Sequence, residues 1–300
     1  MKMPNFLIIG APKAGTSTIY DYLNQHPQIY MSPEKEPMFF AFKGEKMSFC
    51  GPGDDQDVNY YAVTDIETYC NLFKGVSNEI AIGEASTTYL YSQRAPGRIH
   101  HHLPNAKLIA ILRNPVDRAY SNFLHFVRDC REPLTDFTQA LEQEEIRIHN
   151  NWGYFWHYRH QGFYYGQLKR YFNTFDQGQI KVYLYEDFTA NPLSLLQDIF
   201  QFLGIDETFV PDMSIRLNVS GIPKNKALNN FLREPNPIKD AIKLFLPDRL
   251  GPRLKAHLHR RNLAKPELSP EVRAEVLQVY REDLLKLQDL IERDLSKWLE

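Results

Sequence analysis

Cysteine is scarce in this chain. There are three in 300 residues, Cys50, Cys70 and Cys130, with no CxxC pair and no zinc-ligand spacing. That excludes a disulfide scaffold and points to a reduced protein with three buried free thiols. Long apolar runs are missing too. No stretch approaches the roughly 18 uninterrupted apolar residues a membrane helix needs, and the first apolar segment, Phe6–Gly10, is too short for a signal-peptide core. Excess charge of one sign is also absent. Lys+Arg 35 against Asp+Glu 37 leaves −2, so no global field draws the protein to nucleic acid or an anionic membrane. The sequence has no internal repeat, and its one low-complexity tract, His100–His102, lacks the carboxylate or thiol neighbours of a metal site. A soluble cytoplasmic protein without a membrane span or a nucleic-acid partner is the expectation.

What is present suits a globular domain: 43% hydrophobic and 24% charged residues give an ample core. Short apolar runs at Phe6–Gly10, Ile80–Gly83, Lys107–Leu112 and Ile180–Tyr185 read as buried strands. Helical patterns separate and follow them: Thr16–Gln25, Val116–Asp129, Pro133–His149, Gly166–Phe172, Leu193–Leu203 and Pro270–Leu299. In the last, Val272, Val276, Val279, Leu284, Leu287, Leu290, Ile291 and Leu295 supply the apolar face. Strands alternating with helices predict an α/β fold, a P-loop-like parallel sheet flanked by helices. The whole of 1–300 is expected to be a single domain with helical insertions, with 230–300 as a C-terminal helical part or cap. Gly44–Asn59 and Asn218–Lys226 read as surface loops.

Two strand–turn–helix segments carry the chemistry. Phe6–Gly10 leads through Pro12, Lys13 and Gly15 into a helix opened by Thr16, Ser17 and Thr18. Such a loop aims backbone N–H groups and a helix N-terminus at one spot, which suits a phosphate. It departs from the nucleoside-triphosphate loop GxxxxGK[ST]: Thr16 stands where that motif needs lysine, and the lysine, Lys13, lies inside the loop. An ordinary capped turn is the plainer alternative. The second segment runs Leu108–Leu112, Arg113, Asn114, Pro115, with Ser121 two turns into the helix. Arg113 ends its strand, where ligands bind in open parallel sheets, and a guanidinium with a hydroxyl can grip a second phosphate. A structural arginine is the alternative there. Two grips on one sheet imply a ligand phosphorylated at both ends, unlike ATP.

On these residues the chain resembles the sulfotransferases that use 3′-phosphoadenosine 5′-phosphosulfate (PAPS). The likeness is to the bacterial and glycan-type branch that includes heparan sulfate sulfotransferases and the sulfotransferase domains of cyanobacterial polyketide enzymes. It spans about Pro4 to Lys226 and includes Glu34–Phe40, Gly83–Tyr89, Val182–Phe188 and Asn218–Lys224. The resemblance implies that Lys13 contacts the transferring group, and that Ala14, Gly15, Thr16, Ser17 and Thr18 bind the 5′-phosphate. It gives the 3′-phosphate to Arg113 and Ser121, and the late loop over the nucleotide to Gly221 and Lys224. Glu36 matches the catalytic base. Met38 stands where some relatives carry His, which removes one possible acid–base partner, and Ala85 where glycan-type relatives often carry Lys, which speaks against a heparan-like acceptor.

The implied reaction is in-line transfer of a sulfuryl group to a hydroxyl, with Lys13 stabilising the leaving phosphate and Glu36 taking the proton. No metal is called for, the charge roles falling to Lys13 and Arg113. Glu84 is the rival carboxylate. His125, four residues after Ser121, shares its helix face. Phe39, Phe40, Tyr164 and Tyr165 are further candidates for the substrate side, within or near an aromatic stretch from Asn151 to Tyr165. The acceptor is expected to be a carrier-bound acyl chain, a small alcohol or a saccharide. The basic run Arg249–Lys265 reads as a solvated face or an anionic partner's site. A P-loop kinase with a displaced lysine and a non-catalytic nucleotide-binding protein are the competing readings.

Overall fold

The computed structural model describes residues 2–213, 222–224, 263–264 and 266–300. Five short segments pair into one parallel sheet: β1 (Phe6–Gly10), β2 (Ile29–Met31), β3 (Ala81–Ala85), β4 (Lys107–Leu112) and β5 (Ile180–Leu184), in the order β2-β3-β1-β4-β5. Every residue of β1 is buried, so its apolar run does not alternate; helices cover both faces. The four runs predicted from sequence are all strands. The three-residue β2 is too short to show a pattern and was not foreseen.

Helix boundaries follow local capping. α1 (Thr16–Leu23) leaves β1 directly, and α2 (Pro115–Arg128) leaves β4 through Asn114. The Asn114 side chain accepts from the Val116 and Asp117 amides at 3.0 and 3.4 Å, and Pro115 occupies the first turn, where it sacrifices no hydrogen bond. α3 (Tyr164–Phe172) and α4 (Pro192–Leu203) follow, α4 ending at Gly204 with φ +79°. The last helix, α5 (Pro270–Ile291), packs on α3 and α2 through Val276, Leu277, Tyr280, Leu284 and Leu287.

Several expectations are corrected. The apolar face of α5 turns on Leu277 and Tyr280, whereas Val279 is exposed; the helix stops at Ile291, with Glu292 at φ +52°, and a separate turn covers Ser296–Trp298. Residues 133–149 form two short helices, Phe137–Glu142 and Glu144–His149. The segment 44–59 is tied down rather than a plain surface loop. Its buried Asp54 accepts from the Gly51 and Gly153 amides and the Trp156 indole and pairs with Arg131. Cys70 is buried, but Cys50 and Cys130 are exposed, so the three thiols do not share one environment.

Ile222–Pro223 pairs antiparallel with Leu263–Ala264. Residues 218–221 and 225–226 of the Asn218–Lys226 loop, Gly221 among them, and nearly all of the basic run 249–265 lie outside the described residues. Among the described residues, no helix is long and apolar enough to cross a membrane.

Candidate active site

The sheet order sets β3, β1 and β4 side by side, all parallel, so the segments after them emerge together at one edge. From β1 the chain fills β2 and β3 on one side, and after β3 it crosses over β1 to β4 on the other. That is the kind of crevice in which open α/β sheets bind ligands.

After β1 the backbone is contorted: Lys13 has φ +66° and Gly15 φ +85°. A side chain on Gly15 would meet the rings of Tyr185 and Phe188 at 3.2 and 3.3 Å, so glycine serves both conformation and space. α1 starts with no side-chain cap and no acidic residue in its first turn. The Thr18 and Ile19 amides bond the Gly15 carbonyl, and Gly15 to Thr18 line the cleft, so the positive end of the helix dipole lies at it with no side-chain cap.

After β4, Arg113 folds back over this loop. Its Nη1 donates to the Lys13 carbonyl at 3.0 Å, and its guanidinium lies 4.8 Å above the Tyr185 ring. The Arg113 carbonyl accepts from the Tyr164 hydroxyl at 3.0 Å.

After β3 comes Thr87, which holds Glu36. The Glu36 carboxylate accepts from the Thr87 amide at 2.7 Å and its hydroxyl at 3.0 Å, and pairs with Lys35 at 2.9 Å. Glu36 itself sits at φ +60°, its amide donating to the Ala85 carbonyl at 2.8 Å. Lys13, Thr16, Ser17, Glu36, Thr87, Arg113, Ser121 and His125 all line one cleft of about 230 Å³.

The electrostatics of this cleft are unusual. Burial pushes the Lys13 ammonium down to about 7; Arg128, Arg113 and Lys35 push the same way and Asp129 opposes them. Burial likewise drives His125 down to about 3, helped by Lys13 and Arg128. Arg128 donates to His125 Nδ1 at 2.6 Å, so the neutral ring carries its proton on Nε2, 3.5 Å from Asp129. The cleft is thus crowded with cationic groups that an anion would relieve.

The chain matches the model of the Sulfotransferase family over residues 4–209. It belongs to the sulfotransferases. Human carbohydrate sulfotransferase 15 is 30% identical over 247 residues, covering 68% of this chain and 44% of that protein. Bovine bifunctional heparan sulfate N-deacetylase/N-sulfotransferase 2 is 31% identical over 214 residues, covering 68% of this chain and 22% of that protein. The chain thus spans less than half the length of these curated relatives. A crystal structure of a sulfotransferase from Alicyclobacillus acidocaldarius matches over 100% of both chains at 36% identity and a TM-score of 0.79.

Within this sulfotransferase the residues expected on the substrate side divide. His125 lines the cleft. Phe39 and Phe40 do not: they are core residues, Phe39 stacked on Tyr69 with centroids 4.3 Å apart. Glu84 is fully buried on Tyr69 and Ser86, and does not line the cleft either. Burial pushes its carboxyl up to about 7; the Glu36 charge adds to the rise, against the hydroxyls of Tyr89, Ser86 and Tyr69. Tyr164 is buried and acts on Arg113, while Tyr165 lines a separate cavity of about 750 Å³ with His160 and Asp283. Ala14 is buried, its amide donating to the Ala11 carbonyl at 3.3 Å. Lys224 is exposed and not part of the cleft wall. In the aromatic stretch Trp156, Tyr158 and Tyr164 are core, the other five Phe, Tyr and Trp rings are partly buried against it, and Phe155 is its member at the cleft.

The cleft also recruits Lys35, Thr87, Tyr185 and Phe188, which were not singled out as site residues. Lys35 adjoins Glu36, Thr87 lies in the Gly83–Tyr89 likeness, and Tyr185 and Phe188 lie in the Val182–Phe188 likeness. Nothing in their spacing shows which side chain turns inward.

Proposed function

We propose that the chain transfers a sulfuryl group from PAPS to an acceptor hydroxyl, with Glu36 as base and Lys13 as the cation at the leaving phosphate. One observation carries the reading. Arg113 bonds the Lys13 carbonyl across 100 residues of sequence, so two anion grips and a carboxylate share one cleft.

The residues present fit a donor with phosphates at both ends. The uncapped start of α1 offers backbone amides to a 5′-phosphate, with Thr16, Ser17 and Thr18 adding hydroxyls. Arg113 and Ser121 offer a charge-assisted grip for the 3′-phosphate. PAPS supplies the sulfuryl group to be moved. Lys13 and the α1 amides oppose the negative charge that grows on the leaving phosphate. Glu36, held by Thr87 at the cleft wall, accepts the proton of the attacking hydroxyl.

The acceptor is a hydroxyl compound; the relatives named for carbohydrates and heparan sulfate make a saccharide the first class to test, ahead of small alcohols and carrier-bound acyl chains. Three cysteines, none in a disulfide, fit a cytoplasmic location.

The test is calorimetric titration with 3′-phosphoadenosine 5′-phosphate, with ATP–Mg²⁺ as control, followed by an acceptor screen with labelled PAPS. Tight, metal-independent binding that Arg113→Ala weakens is the expected result. A preference for ATP–Mg²⁺ would replace this reading with a kinase.

A further inference from the structure

The turn that carries Glu36 does not support itself. Glu36 and Met38 both have left-handed backbone, at φ +60° and +56°, a conformation that side chains other than glycine disfavour. The helical turn Phe39–Phe42 that follows has no side-chain cap from Met38. Its first amides are buried, and buried amides need partners.

Those partners converge on one carboxylate. The Met38 amide donates to Ser86 Oγ at 2.9 Å, and Ser86 Oγ donates to Glu84 Oε2 at 2.9 Å. The Phe40 amide lies 3.4 Å from the Tyr89 hydroxyl, which also bonds Glu84. Tyr69 contributes a third hydroxyl, 3.2 Å from Glu84 Oε1, and its ring stacks on Phe39. Glu84, Ser86, Tyr69 and Tyr89 are all fully buried. A carboxylate is costly in such a place unless its oxygens are occupied, and here hydroxyl donors occupy them.

We propose that Glu84 is a positioning residue for Glu36. Through Ser86 and Tyr89 it anchors the amides of Met38 and Phe40, and so fixes the turn that aims the Glu36 carboxylate into the cleft. Thr87 then holds the carboxylate itself, so four consecutive residues from Glu84 to Thr87 serve this turn, Ala85 through its carbonyl. An isosteric amide at position 84 has one acceptor oxygen in place of two, and its NH₂ faces hydroxyls that are already donating. The inference rests on Glu36 being the base.

The experiment measures single-turnover release of sulfate from ³⁵S-labelled PAPS to water, a reaction that needs no identified acceptor. It compares wild type, Glu36→Gln, Glu84→Gln, Ser86→Ala and the Glu36→Gln/Glu84→Gln double variant. Affinity for 3′-phosphoadenosine 5′-phosphate is measured alongside by calorimetry. Glu84→Gln should slow release by about ten- to a hundredfold, the scale of a misplaced catalytic group, with nucleotide affinity within about twofold of wild type. The double variant should be no slower than Glu36→Gln alone, because both changes remove one function. Ser86→Ala breaks one relay and leaves Glu84 in place; it should show a smaller loss of the same kind, and it decides the question if Glu84→Gln does not fold. Unchanged release, a loss that adds to that of Glu36→Gln, or a parallel fall in nucleotide affinity would overturn the positioning role while leaving Glu36 as base. Full activity in Glu36→Gln would remove the base assignment, and this inference with it.

Discussion

The turns after β1 and β4 share a plan, an apolar strand running into a helix at the same edge of the sheet, yet they offer an anion opposite things. The first offers backbone. Its helix begins at a left-handed glycine with no side-chain cap, and Lys13 is held at positive φ. The second offers side chains. Asn114 satisfies the opening amides of α2, and the grip passes to Arg113 before the helix and Ser121 within it. An uncapped start costs stability and keeps dipolar charge for a ligand; a capped one stabilises the helix and needs an arginine to supply the charge. The Arg113 bond to the Lys13 carbonyl makes the two turns one site.

The comparison can be tested by removing each turn's contribution. Lys13→Ala should have the largest effect, slowing transfer by about 10²–10³, the usual cost of one preorganised donor at a developing charge. Single-turnover kinetics with saturating donor measure it, and a loss confined to donor affinity would remove Lys13 from the transition state. Arg113→Ala should weaken 3′-phosphoadenosine 5′-phosphate by about ten- to a hundredfold, the range of charge-assisted hydrogen bonds. If adenosine 5′-phosphate, which lacks the 3′-group, weakens equally, Arg113 acts only by bracing the Lys13 loop.

Acidity gives a third difference. Lys13 in the free protein is depressed to about 7, and a bound phosphate raises it again. Above that pH, binding must take up a proton, so affinity should fall as pH rises from about 7, by at most about tenfold per unit, and level off below it. Lys13→Arg, always protonated, should flatten the slope. A slope that persists in this variant would assign the proton to another group. The smallest effect belongs to the capped turn: Asn114→Ala should lower stability by about 1 kcal/mol in urea unfolding, with nucleotide affinity changed far less. An affinity loss matching that of Arg113→Ala would mean that the cap, too, shapes the anion grip.

Much of this was legible in the chain. β1 and β4 announce themselves as apolar runs because a strand covered on both faces has no polar side to show. Lys13, Gly15, Arg113 and Ser121 were legible because local backbone geometry and strand ends demand particular residue types there. Glu84 was misplaced for a physical reason. A carboxylate that closes an apolar run looks the same in sequence whether it faces a ligand or the core; here Glu84 lies within β3, and the deciding partners, Tyr69, Ser86 and Tyr89, are hydroxyls without a recognisable spacing. The aromatic stretch failed similarly, since Trp156 in the core and Phe155 at the cleft are adjacent and chemically alike.

By itself, then, the sequence determined the strand–turn–helix units, the anion-seeking character of two of them and membership of a family. These depend on capping, backbone strain and hydrophobic patterning, which act over a few residues. The tertiary structure alone decided that β3 lies beside β1, that Arg113 reaches the Lys13 carbonyl, and that Glu36 is poised at the cleft while Glu84 is buried on its hydroxyl partners. Those depend on strand order and on long-range hydrogen bonds, where burial turns one carboxylate into a structural anchor and partial exposure leaves the other able to accept a proton.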